Sequence, residues 1–254
     1  MYATTERLSK NNHPTGGLNT LMGGILLNNI QIAIDGPAGA GKSTIAKKIA
    51  ESLDITYIDT GAMYRALTYK AIMNNISMYN HEEIIQLAAN TDININKGEL
   101  YVDAKYVKDE IRSQGVNDHV SYIAQIPGVR KILVKLQKKI ALGNSVVMDG
   151  RDIGTFVLPD ADIKIFLTAS IEERAYRRYS ELLKQGENID LKDIEKSIVE
   201  RDRIDTEREY APLVKAEDAI IIDTTGLNID EVVERIINLI MKKIKKDSNT
   251  LLNN

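Results

Sequence analysis

The chain has no cysteine and no tryptophan among its 254 residues, and only two phenylalanines. Without cysteine there is no disulfide framework and no thiol-ligated metal centre, a composition that suits the cytoplasm. Histidine is scarce too: His13, His81 and His119 stand far apart, with no metal-ligand spacing between them. No apolar run reaches the roughly 18 residues that span a membrane. The stretch from Leu21 to Leu27 is short and broken by Gly23 and Gly24, which does not make a signal-peptide core. There is no basic excess either. A net charge of −3 argues against a general nucleic-acid binder. These absences point to small-molecule partners rather than nucleic acid or membrane, and the chain is expected to be a monomer.

Hydrophobic residues make up 43% and charged residues 27%, the profile of a soluble globular chain long enough for one sizeable domain with insertions. Residues 1–29 are weakly patterned, with Thr15-Gly16-Gly17 and several asparagines, and are expected to be a flexible, dispensable extension in which Met22 is an alternative start. The body then runs over 30–246, and 247–254 form a tail. Five β-branched runs predict strands at Ile30–Ile34, Ile55–Ile58, Ser145–Met148, Ile163–Leu167 and Ala219–Ile222. Helical patterns separate them, as over Pro127–Leu142 and Ile229–Ile244, which predicts an α/β fold around a five-stranded parallel sheet. The lysines of Lys242–Lys246 suit the end of the last helix. Four of the runs are followed by aspartate (Asp35, Asp59, Asp149 and Asp223), at the carboxyl ends where parallel sheets gather ligands.

One stretch breaks the alternation. After a helical pattern over Glu82–Asn90, Ile93–Asn96 and Leu100–Val102 alternate with period two around Lys97-Gly98, a hairpin signal that predicts a small inserted subdomain. Ile171–Asp190 is densely charged and contains Gly186, a composition closer to a mobile flap than to core.

The sharpest motif follows the first strand. Gly36-Pro37-Ala38-Gly39-Ala40-Gly41-Lys42-Ser43 fits the phosphate-loop pattern at every fixed position. Ile45, Ala46, Ile49, Ala50 and Leu53 then recur at helical spacing. Strand, glycine loop and helix in this order turn backbone N–H groups and the positive helix end toward phosphates. Lys42 would meet the outer phosphates of a triphosphate, Thr44 would lie in the same N-terminal turn, and the Ser43 hydroxyl would ligate Mg²⁺.

Further motifs sit at the ends of later elements. Asp59-Thr60-Gly61-Ala62-Met63-Tyr64-Arg65 follows the second strand, with Thr60 able to cap the next helix and Arg65 within reach of an anion. Asp149-Gly150-Arg151-Asp152 follows the third, with Asp149 where an Mg²⁺-organising carboxylate would sit. Arg201, Asp205 and Arg208, four and three apart, are spaced to share one helix face, and Arg174, Arg177 and Arg178, at i, i+3 and i+4, do the same in the flap. The three flap arginines call for an anion, supplied in part by Glu172 and Glu173 or, in the sharper reading, by the phosphates of ATP under a closing lid. A regulatory GTPase is the alternative from another class, but its guanine-reading motif is matched only by Asn96-Lys97-Gly98-Glu99, imperfectly and ahead of Asp223-Thr224-Thr225-Gly226.

Taken together, Asp35-Gly-Pro-Ala-Gly-Ala-Gly-Lys-Ser43, Asp59-Thr-Gly-Ala-Met-Tyr-Arg65, Asp149-Gly-Arg-Asp152-Ile-Gly and Glu200-Arg-Asp-x-x-Asp205-x-x-Arg208-x-x-Ala-Pro-Leu213 resemble the bacterial cytidylate kinases, from about Ile30 to Ile240. The resemblance implies a P-loop kinase with an enlarged monophosphate-binding insertion, about 62–125, and a mobile lid, about 171–190. The implied reaction passes the γ-phosphoryl of ATP to CMP or dCMP with Mg²⁺. By position, Thr60, Arg65, Arg151 and Arg208 would hold the acceptor phosphate. Arg201 and Asp205 would contact the ribose, and Ser121, Arg130 and Asp152 would read cytosine.

Overall fold

The computed structural model describes residues 20–22, 25–27, 29–96, 98–184, 186–187 and 189–252. Residues 1–19, where most of the expected extension lies, fall outside them. The described residues open with a two-stranded antiparallel pair, β1 (Thr20–Met22) and β2 (Ile25–Leu27). Then β3 (Gln31–Asp35) leads through the glycine loop into α1 (Lys42–Leu53), and β4 (Thr56–Asp59) leads into α2 (Thr60–Met73). α3 (His81–Ala89), β5 (Ile93–Asn96), β6 (Glu99–Val102), β7 (Lys105–Tyr106) and α4 (Gln114–Gln125) follow. α5 (Pro127–Ala141) returns the chain to β8 (Val146–Gly150), and β9 (Ile163–Thr168), α6 (Ile171–Lys184), α7 (Leu191–Glu207), β10 (Ile220–Asp223) and α8 (Ile229–Leu252) complete it.

The main sheet has five parallel strands in the order β10-β9-β3-β8-β4. The interior strands β3 and β8 are buried on both faces and read as nearly continuous apolar runs, whereas the edge strand β10 leaves Ile220 and Ile221 exposed. One face packs Ile32, Ile34 and Ile165 against Ile45 and Ile49 of α1 and Ile236 and Ile240 of α8, and the other joins Ala33, Ile58 and Met148 to Val134 and Ile153. The order β3-β8-β4 makes the chain step over β8 on its way from β3 to β4. A crevice opens at the carboxyl ends of such strands, and the register sets Asp35 opposite Gly150 and Asp59 opposite Asp149.

The insertion has its own core, in which Met63 and Leu67 meet Ile84, Leu100, Ile123 and Leu133. Its β-structure is a three-stranded antiparallel sheet, β5-β6-β7, one strand more than the expected hairpin. The extra strand is two residues long, too short for a period to show.

Two expectations need correction. The flap segment is not coreless: α6 is a regular helix whose Ala175 and Leu182 are buried against Ile194 and Ile198 of α7, with Tyr179 beside them. Its charges hide an apolar stripe at helical spacing. The last helix also does not stop at its lysine run but continues to Leu252, since neither glycine nor proline follows to end it.

Candidate active site

The glycine loop leaves the sheet at Gly36, where the backbone takes φ 148° and a Cβ would lie 2.0 Å from the Leu167 carbonyl oxygen. Only glycine fits there. At the far end Gly41, with φ 82°, opens α1 and no side chain caps the helix, so its first N–H groups stay available to an anion. Lys42 donates to the Pro37 carbonyl at 2.6 Å and Ser43 Oγ donates to Asp149 Oδ2 at 2.9 Å. Burial, followed by the positive charges of Arg151 and Arg201, holds the Lys42 ammonium well below its usual pKa.

The α6 arginines divide. Arg174 is buried; it donates to the carbonyls of Ala38 at 2.9 Å and Ala169 at 3.0 Å and pairs with Asp202. Arg177 bonds Glu173, the Thr224 hydroxyl and the Thr224 carbonyl, and its Nη1 is 3.9 Å from where a Gly41 Cβ would be. Both therefore stand beside the loop. Arg178 does not: it pairs with Glu181 at 3.2 Å with 37% of its side chain exposed.

Beyond Asp149 lies a narrow cleft lined by Thr60, Ser121, Arg130, Arg151, Asp152, Arg201, Asp205 and Arg208. Eight positions predicted from four separate stretches of chain thus share one cavity. Thr60 does not cap α2. The Asp59 carboxylate takes that place by accepting the Ala62 N–H at 2.8 Å, and the Thr60 hydroxyl donates to the Asp149 carbonyl at 2.8 Å. The longer aspartate reach suits the N-cap, and Thr60 is already the first helical residue. Arg65 lies just outside the lining and pairs with Asp59 at 2.7 Å. Arg112, from the turn Glu110–Arg112 of the insertion, approaches the same carboxylate at 3.6 Å.

Arg208 sits one residue past α7, in extended backbone, and so is not on the helix face that spacing suggested. Its side chain folds back, donating to Ala211 O at 2.6 Å and Asp205 Oδ1 at 3.2 Å. Arg151 holds the other oxygen of Asp205 at 2.7 Å. Burial pushes the Asp205 carboxyl up, but Arg151, Arg201 and Arg208 outweigh it and hold the group below its usual value. Burial and the charge of Arg151 bring Arg201 down to about 10. At the deep end Arg130, 1% exposed, donates to Asp152 Oδ2 at 2.5 Å and to the Ala124 carbonyl at 2.9 Å.

Several participants escaped the sequence reading. Tyr57 donates its hydroxyl to Asp149 Oδ1 at 2.8 Å, and Tyr64 lies with its ring 5.2 Å from the Arg130 guanidinium. Asp202 accepts the Ala38 N–H at 2.9 Å. Asp35, read as a strand end and as the first residue of the loop motif but given no role, accepts two backbone N–H groups near Asp152. The residue types gave no separate signal for these; each acquires its partner only when distant segments meet.

The residues fit an anionic, acceptor-rich ligand. Arg65 Nε and Arg130 Nε are buried without a hydrogen-bond partner, and Arg208 Nη2 has only the Asp152 carboxylate at 3.4 Å, a costly arrangement that a ligand bearing phosphate and carbonyl oxygens would relieve. They also fit Mg²⁺: a hydroxyl and a carboxylate are hard oxygen donors. Among the described residues no group of three or more His, Asp or Glu is arranged to hold a metal, so a cation beside Ser43 would take its remaining ligands from phosphate and water.

A glycine loop between a parallel strand and a helix, faced across a crevice by an arginine-lined cleft, defines a P-loop phosphotransferase. The family of cytidylate kinases matches residues 32–242. The cytidylate kinase of Alkaliphilus oremlandii is 64% identical over 83% of this chain and 97% of its own length, and that of Clostridioides difficile is 52% identical over 84% and 99%. A solved shikimate kinase from Bacteroides thetaiotaomicron covers 84% of this chain and 98% of its own at 14% identity and a TM-score of 0.45, which adds nothing to the assignment. The chain belongs to the cytidylate kinase family and is a nucleotide-using kinase.

Proposed function

We propose that this chain transfers the γ-phosphoryl group of ATP to CMP or dCMP, giving ADP and CDP or dCDP, in an Mg²⁺-dependent reaction. The observation that carries the substrate is the buried Arg130–Asp152 pair at the deep end of the cleft. Cytosine presents an amino donor at N4 and acceptors at N3 and O2. Asp152 accepts from N4 and Arg130 donates to the acceptors. Uracil reverses the pattern at N3 and position 4, and two mismatched charged contacts disfavour UMP by on the order of 10²–10⁴-fold.

The remaining residues divide the work. Backbone N–H groups of Gly39 to Thr44 cradle the donor phosphates and Lys42 leaves Pro37 to meet the outer ones. Thr60, Arg65, Arg151 and Arg208 hold the acceptor phosphate, and Arg201 and Asp205 the sugar. Ser121, on the cleft wall, completes the base contacts. Ser43 would ligate Mg²⁺ with Asp149 behind it, and the ion supplies charge neutralisation on the phosphates. No covalent intermediate is required; in-line approach and fixed positive charge account for the rate. α6 and the residues that follow it to 190 act as the lid over 171–190, bringing Arg174, Arg177 and Arg178 to the transferring group and excluding water. The enzyme works as a cytoplasmic monomer on small-molecule substrates, the insertion of 62–125 closing over the monophosphate. No helix among the described residues is long and apolar enough to cross a membrane.

The test is a coupled ADP-release assay with ATP and Mg²⁺ across CMP, dCMP, UMP, AMP, GMP and shikimate. Turnover is expected with the two cytidine nucleotides, and strong turnover of any other acceptor would overturn the proposal.

A further inference from the structure

Asp35 ends β3, one residue before the phosphate loop opens at Gly36. Its carboxylate turns away from the loop. One oxygen accepts the N–H of Ile153 at 2.8 Å and the other that of Gly154 at 2.7 Å, and the residue is 4% exposed. These two donors begin the π-helical turn Ile153–Val157, which follows directly on Asp152. The first N–H groups of a helical turn have no partner within it, and no side chain of the turn's own N-cap supplies one. Asp35 does, from a different strand.

The turn decides where Asp152 points. Val157 and Leu158 donate back five residues, to the carbonyls of Asp152 at 3.2 Å and Ile153 at 2.6 Å, and Asp152 itself takes φ −142° and ψ 26° at the bend. Such wide turns are rare and are held by their surroundings. Gly154 leaves room for the contact: a Cβ there would lie 3.4 Å from Asp35 Oδ2 and 3.2 Å from Lys164 Cδ. A buried carboxylate is an expensive way to end a strand. An amide in its place would offer only one acceptor oxygen to two N–H groups.

We propose that Asp35 is a positioning residue for recognition of the acceptor base: it pins the π turn that aims Asp152 at Arg130 and at cytosine, and so ties the acceptor pocket to the strand that carries the donor loop. This rests on the reading of Arg130 and Asp152 given above.

The test is Asp35→Asn beside Asp152→Asn, with steady-state kinetics on CMP and UMP, an ATP titration and a thermal melt. For Asp35→Asn, losing one bond to a charged acceptor is expected to raise KM for CMP by about tenfold and to lower the CMP/UMP ratio of kcat/KM by a similar factor. KM for ATP is expected to stay within about twofold, because the loop's own N–H groups are untouched. A lower melting temperature with unchanged KM values and an unchanged ratio would mark Asp35 as structural only and overturn the inference. If Asp152→Asn moves the ratio and Asp35→Asn does not, the role of Asp35 alone fails. If Asp152→Asn leaves the ratio unchanged, the base reading fails and takes this inference with it. Should Asp35→Asn not fold, amide exchange at Ile153 and Gly154 in the unaltered chain decides: slower exchange on adding CMP supports the inference, and exchange indifferent to CMP overturns it.

Discussion

Asp202 accepts the backbone N–H of Ala38 at 2.9 Å through one oxygen and receives the Arg174 guanidinium on the other. A carboxylate from α7 thus stands on the phosphate loop, paired with a buried arginine, in the manner of an anion that the loop is built to receive. Asp202→Ala is expected to tighten ATP binding in the absence of acceptor by about threefold or more, since Arg174 and the Ala38 N–H are left to seek another anion. Turnover is expected to fall, because Arg174 loses the partner that orients it. Calorimetric titration with ATP measures the first effect, and weaker binding would show that Asp202 supports the donor site rather than competing for it.

Arg130 and Asp152 are both nearly inaccessible, with side chains 2% and 7% exposed. Asp152→Asn keeps the shape but lets the group donate as well as accept, so discrimination of CMP over UMP is expected to drop by about 10–100-fold in kcat/KM. The same change leaves Arg130 and Arg208 short of a counter-charge. A loss of roughly 1–3 kcal/mol in unfolding free energy should accompany it, below the cost of deleting one partner of a buried pair outright. An unchanged CMP/UMP ratio would remove Asp152 from base recognition.

Both oxygens of Asp149 are engaged, one by Ser43 and one by Tyr57. Tyr57→Phe deletes one of these bonds while leaving the ring in place. The Mg²⁺ concentration giving half-maximal rate is expected to rise by about tenfold, the worth of one hydrogen bond to a charged group, with KM for CMP unchanged. Ser43→Ala should raise it further. Chelation with EDTA should stop turnover of the unaltered enzyme and added Mg²⁺ should restore it. A Tyr57→Phe variant with the same metal dependence would make the tyrosine a packing residue only.

The sheet was legible because its strands are short β-branched runs separated by helical patterns, and Ile32, Ile34, Ile163 and Ile165 supply that signal directly. The loop was legible because each of its glycines answers a local constraint, such as the approach of Gly36 to Leu167. Arg130, Asp152, Arg151 and Asp205 could be gathered into one cleft only through the resemblance, since they come from distant stretches of the chain. What stayed hidden depends on three-dimensional proximity. Tyr57 alternates along a strand like any half-buried aromatic, and Asp202 sits among charged neighbours that carry no mark of a partner on the loop. The α6 stripe was masked by Arg174, Arg177 and Arg178. Thr60 was misjudged because both it and Asp59 are good caps, and only the position of the first helical turn chooses between them.

Stability should also carry the imprint of Asp35. Burial, opposed by the Ile153 and Gly154 N–H groups, pushes its carboxyl from the ordinary value of 3.8 up to about 6. Between those two values the folded chain keeps a proton that the unfolded chain has released. Stability from this group is therefore fully present below about pH 4 and is lost as pH rises to about 6. A displacement of that size corresponds to at most ~3 kcal/mol. The difference in unfolding free energy between the unaltered chain and Asp35→Asn, measured by urea denaturation at intervals from pH 4 to 7, isolates the term, because every other titrating group cancels to first order. The difference is expected to move in favour of the asparagine variant as pH rises and to level off above about pH 6. A pH-independent difference would mean that the two backbone N–H bonds fully offset the burial of the charge.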